Sequence, residues 1–195
     1  MTLSGFVHGM KPQIRILAID DAPFDFNDIE TMVVGVVMRG GDYVEGVLRS
    51  YVTIDGADAT DVIGKMVMSS RYREQLRAVL LDGISLGGFN VVDIHKLFDV
   101  IHIPVITVTR DKPDLLAIES ALRKHFPDWE RRLALHTEGT LHEFKTAHNP
   151  LYAKFVGCSP EEAQEIISRV TIRGVLPEPL RLAHLIASGI VRGES

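Results

Sequence analysis

Apolar residues gather in short blocks separated by turn-forming residues. Ile14 to Asp20 (IRILAID) runs straight into Asp21-Ala22-Pro23-Phe24, the pattern of a buried strand that ends in a functional loop. Thr31 to Met38 (TMVVGVVM) is a β-branched run. After the turn Arg39-Gly40-Gly41-Asp42 comes Tyr43 to Ile54, which alternates in places, so the first three strands read as an antiparallel meander. Asp58 then stands where an N-cap is needed for a helix over Ala59 to Ser70, with Val62, Met66 and Val67 at helical spacing.

The rhythm changes beyond this point. A strand over Arg77 to Asp82, a Gly-rich loop GISLGGFN, a helix near Val91 to Ile101, a strand over Pro104 to Thr109 and a helix opened by Pro113 form the βαβ pattern of a parallel half-sheet. The pattern blurs from Asp128 to Asn149. A strand over Leu151 to Val156 follows, then Ser159-Pro160-Glu161-Glu162, which places an N-cap, a first-turn proline and a capping-box glutamate ahead of a helix through Arg169. The last segment, PEPLRLAHLIASGI, puts Leu180, Ala183, His184 and Ala187 on one face and predicts a helix packed on the sheet.

Composition narrows the class. The 195 residues carry 21 Lys and Arg against 26 Asp and Glu, a net charge of -5, with 46% hydrophobic residues. That excludes a disordered chain and predicts a single folded domain over residues 1–195. One cysteine, Cys158, forms no intrachain bridge and no Cys-based zinc cluster, and suggests a reducing compartment. The opening MTLSGFVHGMKPQ lacks the basic and long apolar regions of a signal peptide, and no apolar run approaches a membrane span. A cytoplasmic protein without membrane contact is expected.

Three antiparallel strands followed by βαβ units, with Asp20 and Asp82 ending strands one and four, is the arrangement of the ribonuclease H-like fold. The expected architecture is α/β, with a mixed five-stranded sheet, strands four and five parallel beside strand one, and flanking helices. Asp20 and Asp82 then face each other at the carboxyl edge, where ligand sites of open α/β sheets lie. Paired carboxylates need a proton or a cation, and hard oxygen ligands suit Mg²⁺ or Mn²⁺. The pair is therefore the candidate metal and catalytic site.

Asp55 is the candidate third acid, and Asp58 either shares that duty or caps the helix. Asp21 points to the other side of the strand and either supports the pair or ends the strand as a turn residue. Asp21, Gly83, Asn90 and Arg110 are the candidate substrate contacts. The loop GISLGGFN either cradles phosphate through its N–H groups or is a close-packed turn, with Asn90 as the N-cap of the next helix and Asp93 as a first-turn acid. His136, His142 and His148 recur every six residues, which fits neither helix nor strand and reads as exposed loop histidines. Arg71, Arg73, Arg77, Arg110, Lys112, Arg131 and Arg132 are the cations available to a phosphate backbone.

The segments Leu17-Ala18-Ile19-Asp20, Leu81-Asp82-Gly83, Ile103 to Val108 and Leu176 to His184 resemble endonuclease V. VLLDGISLGGFNVVDIHKLFD and TRDKPDLLAIESAL resemble more closely an uncharacterised, mainly archaeal family, domain of unknown function 99, itself similar to endonuclease V. The resemblance makes Asp20 and Asp82 similar to metal-binding aspartates. It places the family's glutamate at Asp55 or Asp58, its lysine after the fifth strand at Arg110, and its late acid or histidine at Cys158, whose soft thiol suits Mg²⁺ poorly.

The Pro-Tyr-Ile-Pro-Gly-type wedge is replaced by Tyr43 to Leu48, with Glu45 in its middle, and the basic stretch after the second aspartate by Ser85 to Asn90. The resemblance thus implies a divalent-metal nuclease on DNA or RNA with altered or lost recognition of deaminated bases. The alternative is a catalytically reduced member that binds nucleic acid, a nucleotide or a protein. An exposed edge at strands two and three would allow a homodimer.

Overall fold

The computed structural model describes residues 13–25 and 27–195. The meander forms as the blocks predict: β1 (Arg15–Asp21), β2 (Glu30–Arg39) and β3 (Tyr43–Thr53), antiparallel, with a tight turn between β2 and β3. Helix α1 (Ala59–Ser69) and a 3-10 turn (Arg73–Gln75) lead to β4 (Leu76–Asp82), which lies parallel to β1. The hairpin β5 (Ser85–Leu86) and β6 (Asn90–Val91), α2 (Ile94–Ile101) and β7 (Val105–Thr109) follow, with β7 parallel to β4. Then come α3 (Leu115–His125), α4 (Trp129–Thr137), β8 (His142–Phe144), β9 (Leu151–Val156), α5 (Pro160–Val170) and α6 (Glu178–Arg192).

The main sheet has seven strands in the order β3-β2-β1-β4-β7-β9-β8. The five expected strands form a contiguous block, β3-β2-β1-β4-β7, in the expected directions, with β3 at one edge. Strands β9 and β8 extend it antiparallel beyond β7, which corrects the five-strand count. The three residues of β8 are too short for any periodicity to reveal.

Two cores sandwich the sheet. Leu17 and Ile19 of β1 point towards α1 and α2 with Ile63, Val67, Leu97 and Ile101, while Ile16 and Ala18 point the other way, towards Ile166, Ile167 and Leu180 of α5 and α6. The period-two alternation of a strand sets this division. Ala183 and Ala187 of α6 continue the second layer over Met32, Val34 and Val36 of β2. Small residues there let the helix lie close to the strands.

Local caps differ from expectation at three helices. Asp58 precedes α1 but its side chain caps nothing; it accepts from Thr53 N–H at 3.2 Å, Thr53 Oγ1 at 2.8 Å and Asn90 Nδ2 at 2.6 Å. The first turn of α1 is satisfied from a distance, by Asn90 Oδ1 accepting from Ala59 N–H at 3.0 Å. Asp93, expected in the first turn, caps α2, and Asp114 caps α3, so Pro113 precedes the helix instead of opening its first turn. Ser159 and Glu162 form the expected capping box of α5. Among the described residues no helix is long and apolar enough to cross a membrane.

Asn90 is fully buried, and its amide also donates to Thr53 O at 2.8 Å. Asn90→Ala leaves the buried Ala59 N–H without its acceptor and removes the donor to Thr53 O and Asp58, so a loss of about 2 kcal/mol is expected in urea unfolding. An unchanged midpoint would mean that this junction does not hold α1 to the hairpin.

Candidate active site

The register of β1 on β4 pairs Ile19 with Leu81, so the next residues, Asp20 and Asp82, end adjacent strands at the same level. Neighbouring strands stand about 4.8 Å apart. Both aspartates share the parity of Ala18 and Leu80 and lie on the α6 side of the sheet. Asp21 has the opposite parity, as predicted, and its Oδ2 accepts the Gly87 N–H at 2.7 Å.

Burial dominates the electrostatics. Asp20 is 5% exposed, and desolvation, reinforced by the charges of Asp82 and Asp21, pushes its carboxyl up to about 8. Burial also raises Asp21 and Asp82; at Asp82 the positive charge of Arg110, then that of His184, works against the rise. Arg110 is exposed just beyond β7, where its charge acts on Asp82.

His184 is the site residue that helical periodicity assigns only to a packing face. Its neighbours Leu180, Ala183 and Ala187 are buried, but its own ring leans from the rim of that face to the carboxyl edge. Nδ1 lies 2.9 Å from Asp20 Oδ2, within hydrogen-bond distance. The other Asp20 oxygen accepts the Asp21 N–H at 2.9 Å. Cys158 does not take the position expected of the late ligand: it packs against the α5 core, and burial pushes its thiol up to about 12. The signal for His184 is its place at the border of an apolar stripe, within the tail that carries the resemblance.

Asp55 holds the neighbouring turn rather than standing free. It adopts a left-handed backbone (φ 55°), donates its N–H to Gly87 O at 2.8 Å and accepts the Phe89 N–H at 2.8 Å. Gly87 and Gly88 have positive φ, and a side chain on Gly88 would run into the Asp55 carboxylate. The Gly-rich loop is therefore the close-packed turn of the two alternatives, with the Gly87 and Phe89 N–H groups committed to Asp21 and Asp55. Asn90 is buried in the junction described above and offers substrate no exposed surface. The Gly83 N–H bonds to Val108 O at 2.9 Å, extending the β4–β7 ladder beside Asp82.

Arg132 does not serve as a free basic group either. It donates to Gly56 O at 2.9 Å and Phe89 O at 2.6 Å and pairs with Asp128 at 2.9 Å, clamping the turn from α4. Two of the three spaced histidines are not exposed loop residues. His136 lies on α4, where burial and then the Lys154 charge lower its ring to about 4, and its Nε2 is 3.4 Å from Ser85 Oγ. His142 stacks against Phe144 and Phe155. His148 is exposed, as expected.

The donor chemistry at this edge fits a hard divalent cation. Two carboxylates on one face repel each other in a partly dry setting, and a cation between them would remove that cost. Among the described residues no group of three or more His, Cys, Asp or Glu side chains already converges as a metal cage. A two-carboxylate site completed by water and substrate oxygens suits Mg²⁺, which keeps much of its hydration.

The endonuclease dU family model matches residues 12–191. This chain belongs to the endonuclease dU family. A UPF0215 protein of Thermococcus gammatolerans is 46% identical over 194 residues, covering 97% of this chain and 98% of its own length. One from Methanosarcina barkeri is 49% identical over 187 residues, 95% of each chain. A crystal structure of an Archaeoglobus fulgidus protein of unknown function matches with TM-score 0.83 at 41% identity, over 92% of this chain and 99% of that one. Human endonuclease V matches with TM-score 0.60 at 16% identity, over 93% and 85%, a likeness of fold alone.

For this family member the raised Asp20 carboxyl has a consequence for stability. Its folded value near 8 exceeds the ordinary 3.8, so the folded state holds the proton more tightly. Without divalent cation, this contribution is complete at about pH 4 and is lost as pH rises towards 8. Asp20→Asn mimics the protonated group. In EDTA, the melting temperature of the variant should gain on wild type as pH rises across that window, and a gap that ignores pH would contradict the assignment.

Proposed function

We propose that this protein is an endonuclease that hydrolyses phosphodiester bonds in DNA at the β1–β4 carboxyl edge, with Mg²⁺ or Mn²⁺ held by Asp20 and Asp82. The observation that carries the proposal is this buried, same-face pair, flanked by the cation Arg110 and by His184. A bound cation at such a site supplies charge to the phosphodiester oxygens and lowers the pKa of a water nucleophile.

The chain's own residues supply the rest. His184 fixes the orientation of the Asp20 carboxyl through the Nδ1 contact. Arg110 meets a non-bridging phosphate oxygen beside Asp82. Asp21 and Asp55 keep the Gly87–Phe89 turn against the edge and so define one wall of the substrate path. Asp55 acts through this turn, as a positioning residue. The family description, endonuclease dU, supports the reading. So does the fold shared with Ciona intestinalis endonuclease V, solved with a 24mer DNA containing an inosine followed by a ribo-adenosine, with TM-score 0.56 at 14% identity over 88% of this chain and 83% of that one.

The lack of a third convergent acid among the described residues favours a second reading, a member of the fold that binds nucleic acid without cutting it. Cleavage of unmodified, deoxyuridine-containing and inosine-containing DNA, and of RNA, with Mg²⁺, Mn²⁺ or EDTA separates the two. The nuclease reading predicts cation-dependent cleavage that is abolished by Asp82→Asn and reduced about 10–100-fold by His184→Ala, the usual effect of losing a partner that orients a metal ligand. Cleavage in EDTA, or activity indifferent to Asp82→Asn, would overturn it. Binding without cleavage that persists in EDTA and survives Asp82→Asn would establish the second.

A further inference from the structure

Three arginines open onto a cavity of about 380 Å³ at the other end of the sheet. There β1 begins with Arg15, β2 ends at Arg39 and β3 starts at Tyr43, while Arg71, Tyr72 and Gln75 come from the connection between α1 and β4. Arg15 and Asp21 are the two ends of a seven-residue strand, so about 20 Å separates this cavity from the aspartate edge.

The cavity is a built feature. Val44 pairs with Met38 and Gly46 with Val37, which leaves Glu45 as the extra residue of a β-bulge. The bulged Glu45 accepts from Arg15 Nε at 2.5 Å and pairs with Arg39 Nε at 3.2 Å. A side chain on Gly46 would run into the Tyr72 hydroxyl. Its absence lets Tyr72 Oη donate to Glu45 O at 2.7 Å, while Arg71 donates to the same hydroxyl at 2.7 Å and stands 4.9 Å over the ring. Arg39 lies 5.2 Å over Tyr43.

The charges do not balance. Three guanidinium groups share the single carboxylate of Glu45, and the partners of the exposed Arg71 among the described residues are the hydroxyl and ring of Tyr72. The twelve residues ahead of Gln13 contain no Asp or Glu that could supply a counter-charge. What remains is a cationic cavity with oriented, unused N–H donors, and guanidinium forks match the oxygens of phosphate.

We propose that this cavity binds a phosphate group, either of a free nucleotide or of a polynucleotide strand, with Arg39 and Arg71 as donors and the Arg15–Glu45 pair as their frame. This site is independent of the aspartate edge and does not require that edge to be catalytic.

The test is calorimetric titration of pyrophosphate into the full chain in EDTA, for wild type, Arg71→Gln and Arg39→Gln, with melting temperatures to confirm folding. Lys65→Gln, an exposed substitution away from the cavity, controls for net charge. Binding weakened about tenfold or more by each arginine variant and not by Lys65→Gln is expected. A nucleoside monophosphate and a short single strand then identify the source. If Arg71→Gln weakens the strand and lowers its salt slope by about one, the phosphate belongs to a backbone; if only the monophosphate weakens, it belongs to a nucleotide. No pyrophosphate binding by wild type, or equal binding in Arg71→Gln, Arg39→Gln and Lys65→Gln, would overturn the proposal.

Discussion

Two carboxylates that the backbone forces into adjacency at the ends of parallel strands impose the main constraint on this molecule. Asp20 cannot move away from Asp82, because the register that pairs Ile19 with Leu81 also closes both hydrophobic cores. A one-residue slip would turn every side chain of β1 to the wrong face. The fold therefore holds the electrostatic cost of the pair in place, and the upward shift of the Asp20 carboxyl reflects it.

The surrounding elements serve that edge from different directions. Helix α6 uses alanines to approach β2 and brings His184 to Asp20. On the other face, Asp21, Asp55 and Arg132 tie down the hairpin turn, and Asn90 joins that hairpin to α1. Asp128 restrains Arg132 in turn. A charged residue that the sequence offers as a substrate contact is thus often spent on holding a loop, and the groups left open at the edge are Arg110 and the rim of His184.

Local periodicity and cap chemistry make the strand blocks, the opposite faces of Asp20 and Asp21 and the capping box at Ser159 legible in the amino-acid sequence, while the parallel placement of β1 and β4 follows from the likeness of the element order to the ribonuclease H-like arrangement. The features that are not legible there depend on partners distant along the chain. Asp58 looks like a cap because caps are local, whereas Asn90, 31 residues from Ala59, does the capping. His184 lies 164 residues from Asp20, and no spacing rule connects them. Glu45 reads as the loss of a wedge, but the bulge that turns it between Arg15 and Arg39 is visible only in the β2–β3 register.

The central claim is that the Asp20–Asp82 edge is a divalent-cation site kept partly protonated until a cation arrives. Calorimetric titration of Mn²⁺ at neutral pH, in two buffers of different ionisation enthalpy, tests it directly. The account predicts binding whose apparent heat differs between the buffers, because the cation displaces protons, and loss of that binding in the Asp20→Asn/Asp82→Asn double variant. Mn²⁺ binding unchanged in the double variant, or absent from the wild type, would contradict it.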